Sequence, residues 1–504
     1  MSDARGGVMT LDEPMRSVAI IGGGIVGWSA AVALKRRVPA LQVSILPIAV
    51  PPNALADRVE NTLPSIIGFH DDLGLREDDA VLRAGSSWRL GTRFEGWAQG
   101  LPPYVHAYGP YGRPFGTASF HHHWVRAARM GTAAPYDTHS PAAMLANAGR
   151  LVGTEPELGS IFADIQIGLV LDLERYRAML RAFAAHLGVV IHEGVLSTVQ
   201  LRSADGFIGQ VILEHGGSVE ADLFIDASGP DGLLRDTIDA EWEDWTPWLR
   251  NDRLVRAVGP GSAPAALDHV TALAGGWRWR TSAIGKTIHG LCYSSAALED
   301  EDARRLLVDA DATDTATPVA FSQGCRTTPW ARNCVAIGDA ATVIEPLEWT
   351  NLHLAHSAID RIVSMMTGRD CHPLEIADYN RQAGAEVSRV RDFVLCHYGA
   401  ARRPEPFWQS RAELPESLAR TLELFTERGR LPFFEEETFS RDSWLAILLG
   451  QGVIPRRVDA LIEATRPDHS DAAMAGFRTT IERELPRFPT ATDHHAVQMR
   501  RISR

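Results

Sequence analysis

The spacing of hydrophobic and polar positions changes several times along this chain, and each change marks a predicted element. Ser17–Ile21 is a short apolar run, a glycine turn follows, and an alanine-rich stretch with helical periodicity covers Ile25–Arg37. A second run of branched residues covers Leu41–Leu46. This order predicts a strand, a tight turn, a helix and a parallel strand, which is the first βαβ unit of a dinucleotide-binding sheet.

Later segments are predicted to return to the same sheet. Leu173–His186 has the pattern of an amphipathic helix, and strand-like runs cover 189–192, 219–225 and 333–337. Between them lies an aromatic stretch around Trp277 and Trp279, which predicts an inserted, β-rich region. From about Pro373 onward the pattern is mostly helical. The sequence therefore predicts an α/β fold with a helical C-terminal region.

Composition narrows the class of protein. The 504-residue chain is 45% hydrophobic and 22% charged, and 50 basic against 63 acidic side chains give a formal net charge of −13. A negatively charged body repels nucleic acid, so we expect no nucleic-acid partner. The apolar runs are shorter than the roughly 18 residues of a spanning helix, and Met1–Met15 lacks the order of a secretion signal. We expect no membrane association and a cytoplasmic location.

A glycine-rich turn predicts the nucleotide site. Gly22, Gly24 and Gly27 form G-x-G-x-x-G directly after a predicted strand and at the start of a predicted helix. Such a turn lets the backbone approach a diphosphate closely, and the helix N-terminus offers unpaired N–H groups to it. The motif alone does not distinguish NAD from FAD.

A second motif favours FAD. Gly338-Asp339 resembles the second fingerprint of FAD-dependent monooxygenases, and DLFIDASG from Asp222 resembles a third segment of the same proteins. We therefore predict FAD as the cofactor, with Gly22, Gly24, Gly27, Gly338 and Asp339 as its binding residues. Pro47 stands where an acid would bind the adenosine ribose, so we expect a weakened affinity for FAD.

Several motifs in one shared order resemble the flavin-dependent tryptophan halogenases, from Val18 to roughly Asp459. They are Gly27-Trp28, VENTLPSI at Val59, GGWRWRTSA at Gly275, NCVAIGDAATVIEPLE at Asn333 and FSRDSWLAILLGQGVIPRRVD at Phe439. The resemblance implies an FAD-dependent monooxygenase-like fold, FADH2 supplied by a separate flavin reductase, and a small aromatic, indole-like substrate. On this basis residues 1–372 are predicted to form the flavin and substrate parts, and residues 373–504 a helical region on the substrate side. A homodimer stays open.

The resemblance also implies a catalytic glutamate and a catalytic lysine. Glu348 matches the glutamate, although a glutamate near a helix start is also a favourable charge at the helix dipole. SSWRLGTRF puts Arg89 at the place of the lysine, and no lysine occurs between Lys35 and Lys286. A guanidinium stays protonated and is a poor nucleophile, so it can orient an oxidant or a carboxylate but does not readily form a haloamine.

The halide site that the resemblance implies is altered as well. Trp349, Thr350 and Asn351 stand where the family has Ser-Thr-Gly, so Asn351 replaces the glycine whose backbone helps to bind halide. Trp277, Trp279 and Trp349 are predicted to line the passage between flavin and substrate. Tryptophans spaced to share a strand face are also typical of a hydrophobic core, and this alternative stays open.

The run His121-His122-His123 suggests a metal site, because His121 and His123 would share one face of a strand. Acidic or cysteine partners at ligand spacing are not found nearby in the sequence. We predict an edge strand or a pocket lining, and no metal.

The predicted function is an FAD-dependent oxidoreductase that uses reduced flavin and O2 on an aromatic substrate. Because Arg89 replaces the lysine and Asn351 the glycine, oxygenation or oxidase chemistry is favoured over halide transfer. Two alternatives stay open. One is a functional FADH2-dependent halogenase in which Arg89 and Glu348 hold the oxidant. The other is a non-catalytic homologue that binds flavin or another ligand.

Overall fold

The computed structural model describes residues 13–76, 82–152, 159–261, 263–308, 314–315, 317–409 and 412–502. Within these residues the chain forms thirteen α-helices and twenty-two strands. The helices are α1 (Ile25–Arg37), α2 (Ser65–Leu73), α3 (Phe120–Met130), α4 (Pro141–Asn147), α5 (Leu173–His186), α6 (Asp300–Val308), α7 (Thr350–Ser364), α8 (Pro373–Ala400), α9 (Pro406–Gln409), α10 (Glu416–Arg428), α11 (Arg441–Gly450), α12 (Pro467–Glu484) and α13 (Ala491–Ile502). The strands are β1 (Ser17–Ile21), β2 (Gln42–Leu46), β3 (Ser87–Arg89), β4 (Gly91–Glu95), β5 (Tyr104–Ala107), β6 (Gly168–Val170), β7 (Val190–Ile191), β8 (Leu196–Leu201), β9 (Ile208–Leu213), β10 (Ser218–Val219), β11 (Leu223–Asp226), β12 (Glu243–Asp244), β13 (Arg253–Pro260), β14 (Leu267–Leu273), β15 (Gly276–Ala283), β16 (Lys286–Tyr293), β17 (Asp314–Thr315), β18 (Val319–Ala320), β19 (Gly324–Cys325), β20 (Trp330–Ala331), β21 (Cys334–Ala336) and β22 (Thr342–Val343).

A six-stranded sheet in the order β20-β21-β11-β1-β2-β7 carries the predicted βαβ unit. β1 pairs in parallel with β2 and β11, and α1 packs against α5 and α7. Because a central parallel strand is covered on both faces, it reads as a continuous apolar run, and Val18 to Ile21 are fully buried. The predicted strand, turn, helix and strand are confirmed, as is the helix Leu173–His186.

The second large sheet has the order β17-β13-β16-β15-β14-β4-β5, with β18 also paired to β13. Most of its pairs are antiparallel, but β14 and β4 run in parallel. This sheet is the predicted β-rich insert. Trp277 and Trp279 lie on β15, two residues apart, and both are buried in the core, as alternation along a strand requires.

The predicted helical C-terminal region is present as α8 to α13. Its longest member, α8, contacts α7 and β20 as well as α10 and α11, so this region packs closely on the sheets. The division at residue 372 into two domains stays a prediction. No helix within the described ranges has the length and apolar character that crossing a membrane requires.

The strand predicted for His121-His122-His123 is wrong, because these residues lie on α3. Phe120, Trp124 and Ala127 are all buried, and their spacing is that of a helix face rather than of a strand. Gly131 ends the helix in the left-handed region at φ 74°. Two of the imidazoles contact the C-terminal region, at Gly429 and Ser470.

Candidate active site and flavin turn

The glycine turn between β1 and α1 has the predicted position, and its backbone leaves no room for side chains. A Cβ added to Gly22 would lie 2.2 Å from the carbonyl oxygen of Ala227, and one added to Gly27 would lie 2.4 Å from that of Gly22. Gly24 is the N-cap of α1. The turn therefore has the close strand-to-helix packing of a dinucleotide-binding fold.

A second turn packs against the glycine turn. Leu55–Asp57 forms a single 3₁₀ turn that contacts α1. The carboxylate of Asp57 accepts a hydrogen bond from the N–H of Val26, at 3.2 Å, and a Cβ added to Gly24 would lie 2.3 Å from its oxygens. Burial raises the pKa of Asp57 to about 6, although N–H groups of α1 act in the opposite direction.

Asp339, the acid of the second flavin motif, contacts the same turn. Its Oδ2 accepts a hydrogen bond of 2.8 Å from the N–H of Ala56, whereas its Oδ1 has no partner among the described residues. Burial raises the pKa of Asp339 to about 8. The residues predicted to bind the flavin thus lie close together, and the Leu55–Asp57 turn contacts both Asp339 and the first turn of α1.

Arg89, at the end of β3, is fully buried and fully paired. All five of its N–H groups can be assigned to acceptors of the protein. Nε donates to Asp268, Nη1 to the carbonyl of Thr62 and the hydroxyl of Tyr108, and Nη2 to the carbonyl of Gly91 and the hydroxyl of Thr92. Burial alone would lower the pKa of Arg89, but the Asp268 carboxylate raises it above its ordinary value. Arg89 is therefore a stable cation.

Glu348 lies between two imidazoles in a turn just before α7. Its Oε2 is 2.8 Å from Nδ1 of His106, and its Oε1 is 3.0 Å from Nε2 of His397. Burial would raise its pKa, but the two imidazoles outweigh this effect and hold the pKa of Glu348 at about 2. Glu348 and Trp349 both have left-handed backbones, at φ 66° and 63°. Two such residues in succession indicate a turn that its surroundings hold in place.

A cavity of about 680 Å³ opens next to this carboxylate. Its lining includes His106 and Tyr108, the hydrophobic side chains of Leu63 and Phe439, and a polar edge with Glu437. The lining does not include Arg89 or Glu348, which lie directly behind Tyr108 and His106. Nε2 of His106 is buried and has no hydrogen-bond partner among the residues that the structure describes.

The three tryptophans that are predicted to line the passage between flavin and substrate pack against one another. The ring centroids of Trp277 and Trp279 are 5.5 Å apart, and those of Trp279 and Trp349 are 6.0 Å apart. All three side chains are at most 2% exposed. The indole N–H of Trp349 donates to the hydroxyl of Thr92, and that of Trp277 donates to Glu345. These contacts are those of a packed core.

Thr350 and Asn351, the predicted halide residues, are both buried at the start of α7. Nδ2 of Asn351 donates to the carbonyl of Ile344 at 2.7 Å. The side chain of Asn351 therefore pairs with a backbone carbonyl seven residues earlier, in the segment that leads into α7. Its Oδ1 and the hydroxyl of Thr350 have no partner within the described part of the chain.

Sequence reasoning missed His106, Tyr108 and His397. His106 and Tyr108 belong to a segment rich in proline, glycine and tyrosine, and nothing in that segment indicates that His106 contacts Glu348, 242 residues later. His397 lies in the last turn of α8, within a run of buried residues that is typical of a core. YVHA at Tyr104–Ala107, a short and mostly hydrophobic run, is the one local signal that His106 lies on a buried strand.

Comparisons with known proteins identify the same family that the sequence motifs resemble. The sequence model of the tryptophan halogenase family matches residues 17–467. The chain is 28% identical to tryptophan 7-halogenase KtzQ of Kutzneria sp. (strain 744), over 95% of this chain and 97% of that protein. Its structure is similar to that of BrvH, a flavin-dependent halogenase from Brevundimonas sp. BAL3, with a TM-score of 0.90, 33% identity, and coverage of 96% and 99%. It is also similar to Xcc4156, a flavin-dependent halogenase from Xanthomonas campestris, with a TM-score of 0.89, 31% identity, and coverage of 96% and 98%.

Proposed function

This chain belongs to the tryptophan halogenase family, and on that premise we propose that it is an FAD-dependent oxidoreductase that acts on a small aromatic molecule without transferring halide. The family uses FADH2 that a separate flavin reductase supplies, which confirms FAD as the predicted cofactor. Gly22, Gly24, Gly27, Gly338 and Asp339 are the residues proposed to hold it. When bound, reduced FAD would supply the electrons that activate O2.

The observation that carries this proposal is the environment of Arg89. An oxidised halogen needs an amine that can form an adduct with it or donate a free hydrogen bond to it. The guanidinium of Arg89 donates its five N–H groups to five acceptors of the protein, is not exposed, and lies behind Tyr108. We therefore assign Arg89 a structural role.

His106 is the residue proposed to act on the substrate. Nδ1 of His106 faces the Glu348 carboxylate, so Nδ1 carries the proton and Nε2 is left as an acceptor. A base oriented by a carboxylate in this way can take a proton from the O–H of a phenol bound in the cavity. Glu348 is then a positioning residue. The volume of about 680 Å³, and a lining in which Leu63, Ile67 and Phe439 alternate with polar side chains, suit a small aromatic molecule with polar substituents.

The proposal is tested by supplying photoreduced FAD in excess, O2 and a panel of indoles and phenols, and by analysing the products by mass spectrometry. We expect a product that has gained one oxygen atom. His106→Ala should lower its rate by about 10²-fold or more, because general-base catalysis contributes about that much. Glu348→Gln should lower the rate while leaving KM nearly unchanged. His215→Ala, at an exposed turn, is the matched control. A rate that His106→Ala leaves intact would contradict the role of His106.

A second candidate function is halogenation itself, which the names of the relatives favour. In that case an oxidised halogen would be held without a lysine, and His106 would be one of several polar residues around it, together with Tyr108 and Gln166. The two functions differ in the product, since halogenation requires added halide.

A further inference from the structure

The chain between β2 and α2 crosses the glycine turn instead of leaving it open. After β2 the carbonyl of Ile48 lies 2.3 Å from the position that a Cβ of Gly23 would occupy. Further along, the Asp57 carboxylate lies equally close to the Cβ position of Gly24, and Pro51 lies 2.7 Å from that of Gly229. Residues 47–58, which we call the covering segment, therefore contact the turn at the glycines whose absent side chains would admit a ligand.

Asp57 takes a contact that a phosphate would otherwise make. The N-terminus of a helix attracts anions because its first N–H groups are unpaired and its dipole is positive there. In this chain the N–H of Val26 in the first turn of α1 donates to Oδ1 of Asp57. A carboxylate of the protein thus satisfies the helix terminus at the place where a diphosphate would bind.

The covering segment is also well packed. Ala54 and Leu55 are completely buried, and the N–H groups of Ala54 and Arg58 donate to the carbonyls of Pro51 and Leu55. The N–H of Ala56 satisfies one oxygen of Asp339. Removing the segment would break these contacts, so a ligand must compensate for them before any net affinity appears.

The groups around Asp57 favour an anion. The N–H groups of α1, Arg177 from α5 and Arg58 within the segment all lower the pKa of Asp57, against the effect of burial. The charge of Asp57 in turn helps to raise the pKa of Asp339, in the turn after β21, because neighbouring carboxylates repel one another. The Asp57 carboxylate would repel a diphosphate that its surroundings otherwise attract.

We propose that the covering segment is an autoinhibitory occupant of the flavin site, in which Asp57 takes the place of the FAD diphosphate, so that FAD binds only when the segment is displaced. This inference rests on the proposed function in one respect, that FAD is the ligand of this site. It predicts a protein that is purified largely without flavin and that binds FAD weakly.

The test is a titration of the full-length protein with oxidised FAD at pH 8, followed by the change in flavin fluorescence. Asp57→Gly removes the internal anion, and we expect it to bind FAD at least about tenfold more tightly than the wild type, which corresponds to about 1.4 kcal/mol. Asp57→Asn keeps the size of the side chain without its charge and should also bind more tightly. Asp459→Gly removes another capping carboxylate, at residues 460–464, and should leave FAD affinity unchanged.

Circular dichroism establishes whether each variant is folded. If Asp57→Gly does not fold, the comparison of FAD affinity is made with Asp57→Asn. Equal FAD affinity in the wild type and in the folded Asp57 variants, whether tight or undetectable, would overturn the inference. If the Asp57 variants bind FAD tightly but none of the proteins converts a substrate, the inference stands and the proposed function fails.

Discussion

Replacing Arg89 by alanine gives a quantitative test of its assignment as a structural residue. The change removes a buried cation and leaves the carboxylate of Asp268, which is 2% exposed, without its partner. Breaking a buried ion pair on one side costs about 3–5 kcal/mol, because the remaining charge is uncompensated. The carbonyls of Thr62 and Gly91 also lose a donor, which adds to the loss. The hydroxyl of Thr281 still donates to Asp268, which limits the loss of stability.

We therefore expect Arg89→Ala to lower the free energy of unfolding by about 3–5 kcal/mol. Urea denaturation followed by tryptophan fluorescence measures this, since the chain has 13 tryptophans. Arg305→Ala is the matched control, because Arg305 is 66% exposed and its ion pairs with Glu301 and Asp302 lie in solvent. It should change stability little.

The double variant Arg89→Met with Asp268→Leu removes both charges and should recover most of the lost stability, because replacing both members of a buried pair by apolar residues is often neutral. If Arg89→Ala unfolds at the same urea concentration as the wild type, the guanidinium is not committed to the contacts described. If the double variant is no better than Arg89→Ala, the loss does not come from an unpaired Asp268. The first result would refute the structural assignment, and the second would assign the stabilisation to the other acceptors of Arg89 instead of the ion pair.

Two further predictions concern the flavin turn and the passage. The pKa of Asp339 is raised to about 8, so the folded state binds this proton more tightly than the unfolded state does, and the free energy of unfolding should fall as the pH rises from about 4 to about 8. Urea denaturation across that range measures this decline, and Asp339→Asn should remove much of it. An unchanged pH dependence in the variant would contradict the raised pKa of Asp339. Trp349→Ser places the serine of the family in a packed interior, and the loss of the buried indole should lower the free energy of unfolding by about 3–5 kcal/mol. A loss below about 1 kcal/mol would show that the indole does not fill the predicted passage.

Local elements of this fold could be predicted because their signals are contained in short stretches of sequence. The helix Leu173–His186 has both an apolar stripe and an N-cap, since the side chain of Asp172 accepts a hydrogen bond from the N–H of Arg175. The βαβ unit has a glycine turn between two apolar runs. For His121-His122-His123, alternation over three residues was too short a signal, and the spacing of Phe120, Trp124 and Ala127 decided the structure.

The arrangement of the candidate site depends on contacts between distant segments. The motif identified Arg89 as the residue at the place of the lysine, but the acid that pairs with it, Asp268, comes 179 residues later. The contact of Asp57 with Val26 likewise depends on how residues 47–58 cross the sheet. Pro47 indicated that the usual ribose contact is absent, but only the folded chain shows that residues 47–58 contact the glycine turn itself.

The central proposal is that this chain has the fold of its family but that Arg89, at the place of the family's lysine, is committed to acceptors of the protein and does not receive an oxidised halogen. The most direct measurement is a reaction of the wild-type protein with excess photoreduced FAD, O2 and an indole, with and without bromide, read by the isotope pattern of the product. The account predicts the same product in both samples, with one oxygen gained and no bromine. A product with the isotope pattern of bromine, formed only when bromide is added and the protein is present, would contradict the claim that Arg89 and Asn351 have disabled halide transfer.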